Sequence, residues 1–107
     1  MTALAGPGAV ELSVLLGEIR RDSGVLAQHA ADLALVAREW TSVAADRARL
    51  ALACVLVHSW YTATEALFER IARRLDQDVP GGDRSHQDLL RQMATELVHV
   101  RPAVIDE

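Results

Sequence analysis

The stretch His58–Leu75, with the residues leading into it, places apolar side chains on two faces of a single helix. One face reads Leu52, Leu56, Trp60, Ala63, Leu67, Ile71 and Leu75, and the other reads Ala51, Val55, His58, Thr62, Glu65, Phe68 and Ala72. A helix that is apolar on one stripe needs one neighbour, whereas one apolar on two faces needs cover from more than one side. This feature restricts the chain to an all-α bundle. It also makes the supply of covering helices the central question. Charges gather only at the far end of the helix, at Glu69, Arg70, Arg73 and Arg74.

The remaining helices follow from pattern and punctuation. Leu12, Leu16, Ile19, Leu26, Leu33 and Trp40 recur at steps of three and four, with Ser23, Ala30 and Ala37 between them. That spacing suits a helix lying nearly parallel to a partner. Gly17 and Gly24 interrupt it and mark either a kink or a close backbone approach. The expected order is a loose arm over 1–8, helix one over 9–40, helix two over 43–77, helix three over 85–99 and a tail over 100–107. Thr41-Ser42 or Asp46 supplies the break between helices one and two, because these residues suit caps better than helix interiors. Residues 77–84, with Pro80, Gly81 and Gly82, form a turn. Ser85 with Asp88 resembles a capping box, and Leu89, Leu90, Met93, Ala94 and Leu97 form the apolar face of the third helix. Arg101 before Pro102 ends it, since the residue before a proline is pushed out of helical geometry. The fold class is therefore a long antiparallel helical hairpin plus a shorter third helix, in one domain.

Composition narrows the function classes. The chain has 107 residues, half of them apolar, and a net charge of −4, which argues against general affinity for a nucleic-acid backbone. A lone cysteine, Cys54, allows no disulfide within the chain and fits a reducing compartment. Residues 1–16 lack a basic start, and the apolar run Leu50–Val57 is too short to span a bilayer. The expectation is a cytoplasmic protein with no membrane partner.

Several residues are candidates for chemistry. His58, Tyr61 and Glu65 fall close to one face of helix two. A carboxylate beside an imidazole can do acid–base work, while the same three groups can equally form a structural polar network between helices. Arg84 and His86 stand at the mouth of helix three, where a helix N-terminus can hold an anion such as a phosphate. The alternative there is a solvated turn. Arg70, Arg73 and Arg74 either complement the helix dipole or touch RNA or an acidic partner. Cys54, between Ala53 and Val55, is expected in the core. The histidines are scattered without a paired metal-ligand motif, and no phosphate loop or nucleotide fingerprint occurs, so neither a metal nor a cofactor is expected.

These residues also carry a resemblance. Trp60-Tyr61-Thr62-Ala63, Glu65 to Arg73, Leu75-Asp76, Val79-Pro80 with Gly82, His86 to Met93 and Val100 to Ile105 together resemble the HepT-like ribonuclease toxin domain of the HEPN group. The likeness is closest from Asp46 to Ile105. It implies a helical bundle of four or five helices that usually dimerises. It also implies metal-independent RNA cleavage and neutralisation by an antitoxin of the nucleotidyltransferase type. The group's catalytic signature is an Arg followed by a His after four to six intervening residues. No Arg in this sequence has a His at that separation; Arg91 and His99 have seven residues between them. The tyrosine that such antitoxins modify is not matched either, since Tyr61 is the only tyrosine and lies in a different helix. No catalytic residue carries over from the family, which leaves Glu65, Arg84 and His86 as weak candidates. The expectation is an incomplete HEPN-like bundle, short of the helix that bears the signature and impaired in catalysis.

Two functions follow. One is a HepT-like toxin-family domain of a toxin–antitoxin system. The other is a non-catalytic dimerisation or protein-interaction module. Helix two has more apolar surface than two further helices can cover, so a homodimer or an antitoxin contact is expected to fill the open groove.

Overall fold

The computed structural model describes residues 8–40 and 47–106. The expected arm over 1–7, the break at Thr41-Ser42 or Asp46, and Glu107 lie outside the described residues. Helix α1 spans Ala9–Arg38 and helix α2 spans Arg47–Ile71. The last turns of the second helix, Ala72–Asp76, widen into a π-helix. Helix α3 spans Ser85–Met93. The described residues contain no strand, only an isolated bridge between Leu97 and Arg101.

α1 and α2 form an antiparallel hairpin. Arg70 near the end of α2 meets Glu18 and Asp22 early in α1, and Arg49 at the start of α2 meets Glu39 just after α1. The core sits at one end of this rod. Leu67, Phe68, Ile71 and Ala72 pack against Leu89 and Met93 of α3, with Ile19, Leu26, Leu75 and Ile105 around them. The apolar faces of α2 therefore converge on α3 only in their last third. The molecule is long, with extents of 65 × 30 × 20 Å and a radius of gyration of 17.5 Å. A compact domain of this length has a radius of roughly 13 Å.

The helix boundaries have physical causes. α1 runs through Gly17 and Gly24 without a break, and a Cβ added at either meets nothing within 4 Å. The expected kink or close approach is absent there. The expected seam also shifts by one position near its start, since Leu15 is buried while Leu12 and Leu16 are exposed. Arg84 is the N-cap of α3 and no side chain caps it, so the Ser85–Asp88 capping box does not form. α3 stops at Met93 rather than near His99. Thr95 N donates to Gln92 O at 3.2 Å, and its hydroxyl donates to Arg91 O at 2.7 Å. The next residues reverse direction. Leu97 N donates to Arg101 O at 3.0 Å and Arg101 N to Leu97 O at 2.9 Å, with His99 at a left-handed φ of 68°. Pro102 lies beyond this reversal and does not end the helix.

Candidate functional site

Three places bring chemistry-bearing residues together. The first is a cleft between α2 and α3. The sequence spaces Tyr61, Thr64, Glu65 and Phe68 on one side of α2, and α3 opposes them with His86, Leu89 and Leu90. The Nδ1 of His86 lies against a Glu65 carboxylate oxygen. The Tyr61 ring stands 6.4 Å from the imidazole at an interplanar angle of 50°. Carboxylate and imidazole together can pass a proton. The rest of the lining is Phe68, Leu89 and Leu90 with the hydroxyl-bearing Tyr61 and Thr64, and it contains no arginine.

Of the expected polar stripe, Glu65 makes an ion pair with a neighbouring helix. Glu65 pairs with His86 across the helix–helix junction and not with His58 or Tyr61 of its own helix. His58 and Tyr61 are both exposed, as is Cys54, which was expected in the core. Cys54 and His58 lie beyond the reach of α3, and Tyr61 stands at the edge of the cleft beside His86. The structure brings together two of the three weak catalytic candidates, Glu65 and His86. Arg84 is exposed and is not among the residues lining the cleft.

The second place is the arginine cluster at the end of α2. Arg70 donates through Nε to Asp22 at 2.9 Å and also contacts Glu18. Arg74 reaches Glu18 at 3.4 Å. Two of the three arginines expected to face RNA or a partner thus tie α2 to α1. Arg73 is exposed.

The third place was not anticipated from the sequence. Arg101 is buried and grips Asp76 with two bonds, Nε to Oδ1 at 2.7 Å and Nη2 to Oδ2 at 2.6 Å. Gln92 adds a bond to Asp76 at 2.8 Å and one to Asp78 O at 2.9 Å. Both charged residues fell within the segments that carried the family resemblance. No periodicity argument pairs positions so far apart.

Above these sites the hairpin is bare. Leu50, Leu52, Val55, Val57 and Trp60 of α2 are exposed, Val55 at 60% of its surface, as are Val25 and Leu35 of α1; Val10, Leu12, Val14 and Leu16, at the opposite end of α1, are exposed as well. The segment Arg47–Asp76 is apolar and long enough to cross a membrane by composition, with 6% of its most apolar window buried. Among the described residues no group of three or more His, Cys, Asp or Glu converges to hold a metal ion.

Comparison with known protein families adds one finding. A family model described as HepT-like protein matches residues 51–107, more than half of the chain. The chain belongs to the HepT-like family. No curated protein and no solved structure matches it. The HepT-like match takes in nearly all of α2, the π turn, α3 and the segment after it. Both the Glu65–His86 pair and the Asp76–Arg101 pair therefore lie inside the HepT-like region. Helix α1, which supplies Glu18 and Asp22 to Arg70, lies outside it.

Proposed function

We propose that this chain is the helical domain of a toxin–antitoxin component, acting in the cytoplasm, and that its 107 residues work by association rather than by cutting RNA. The observation that carries the reading is the bare apolar hairpin. A soluble monomer rarely exposes a contiguous apolar surface of this kind, and such surfaces mark interaction sites. From Leu50 to Thr64 α2 has no charged residue, and its apolar side chains point to solvent on more than one side. The proposed cover is a second copy of the same hairpin, which would close a four-helix arrangement. A nucleotidyltransferase-type antitoxin is the further partner that the family suggests.

Lipid is the other surface able to cover an apolar rod. Charge disfavours it, because the tip of the hairpin carries Arg47 and the Arg49–Glu39 pair, and charges are costly inside a bilayer. A catalytic reading rests on Glu65 and His86. It lacks the family's Arg–His spacing in these residues, and the cleft lining offers no cation.

The test is a charged substitution on the bare face. Val55→Glu together with Leu52→Lys touches side chains that one copy leaves exposed. The proposal expects helical content to persist while the assembly separates into single chains in light scattering. Unchanged mass for the double variant would contradict it. So would a wild-type chain that is monomeric in buffer and sediments with anionic phospholipid vesicles.

A further inference from the structure

We propose that the Asp76–Arg101 pair is a register lock: it dictates the one position in which the strap of residues 95–106 closes over α3, and adds little to the stability of the helices. The strap is the segment that reverses at His99 and returns along α3. Its return leg is held by Val104 N and Ile105 N, which donate to Met93 O at 2.7 and 3.3 Å. Ile105 packs on the core beside Met93.

The lock is visible in the donor count of the guanidinium. A guanidinium carries five N–H donors in a fixed planar fork. Here all are in use. Nε and one Nη2 donor take the two oxygens of Asp76. The other Nη2 donor takes Gln92 O at 3.2 Å, and Nη1 takes Thr95 O and Pro102 O, each at 3.0 Å. A single side chain thus joins the π turn, the end of α3 and both legs of the strap. The side chains of Arg101 and Asp76 are 5% and 1% exposed. Sliding the strap by one residue would leave the buried Asp76 carboxylate with Gln92 alone and the buried guanidinium without its counter-charge, which is far worse than losing a surface contact.

The π turn belongs to the same device. Its wide ladder ends with Gln77 in a left-handed conformation at φ 61°, and Asp78 N returns to Ala72 O at 3.0 Å. This places Asp76 and Asp78 side by side for Gln92. Desolvation offsets much of the attraction in a buried ion pair, so apolar replacement of both partners is often neutral for stability. The role proposed for this pair is to specify one arrangement of the strap.

The experiment is amide hydrogen exchange on the full chain, read at Arg101, Val104 and Ile105 and compared with the amides of α2. In Asp76→Leu/Arg101→Met the proposal expects thermal unfolding within a few degrees of the parent and strap exchange faster by about 100-fold, with α2 unaffected. Arg101→Lys keeps the charge but offers three donors from one point, and it is expected to fold and to lose strap protection in the same way. Parent-like strap exchange in either variant overturns the proposal. Failure of both variants to fold overturns it as well, because the pair would then be holding the helices together rather than directing the strap.

Discussion

Arg70 of α2 donates through Nε to Asp22 of α1 at 2.9 Å, and the same guanidinium meets Glu18 one turn earlier. This fork is the polar half of the hairpin's contact, beside the apolar contact of Ile19 and Leu26 with the core. The three side chains are 19–28% exposed, so the contact is neither a surface pair nor a fully dry bridge. Arg70→Met is expected to lower unfolding stability by about 1–2 kcal/mol, between the values for exposed and buried pairs. Urea titration of both proteins in low and in about 1 M salt checks it, and the difference should shrink in salt.

Met93 is fully buried at the junction of α2, α3 and the strap. Met93→Ala leaves a cavity in the only dense core among the described residues and should cost about 2–5 kcal/mol. The parallel change Val55→Ala trims a side chain that one copy leaves exposed, and should change the unfolding free energy of separated chains by no more than about 0.5 kcal/mol. Chemical denaturation of the two variants at low protein concentration provides the comparison.

Gly24 lies in the middle of α1 with open space where a Cβ would be. Gly24→Ala is therefore expected to raise stability by roughly 0.5–1 kcal/mol through helix propensity alone. Circular dichroism melts should show the higher midpoint. A lower midpoint would mean that another backbone approaches α1 at this position in solution.

Purified protein incubated with RNA should leave it intact. The Glu65–His86 pair offers proton transfer, but the cleft that holds it has no arginine in its lining. Gel analysis of RNA with the parent chain and with His86→Ala makes the check. Cleavage by the parent that is lost in His86→Ala would assign catalysis to this cleft.

The helices were legible because their cause is local. Apolar spacing over Leu52 to Leu75 places the long second helix, and the Pro80-Gly81-Gly82 turn places the start of the third. The excess of apolar surface on α2 was equally legible, since it is a property of the pattern alone. What escaped is non-local. Arg101 reads as a residue stranded before Pro102, and only the folded chain shows that it closes on Asp76 and that α3 stops early to let it do so. Glu65 reads as part of a polar stripe reaching from helix two to a neighbour, but the pattern does not name the neighbouring group, and only the folded chain shows that α3 delivers His86 to it. Arg70 and Arg74 read as a solvated basic end because nothing in α2 reveals the acidic groups waiting on α1.

The account depends on a rod whose apolar faces are covered by a second copy. Light scattering on the eluting peak, across protein concentrations from about 1 to 100 µM, measures this directly. The account predicts a mass of twice 11.7 kDa that persists on dilution to the micromolar range. A particle of 11.7 kDa throughout that range, still helical and still in solution with its hairpin bare, would contradict it.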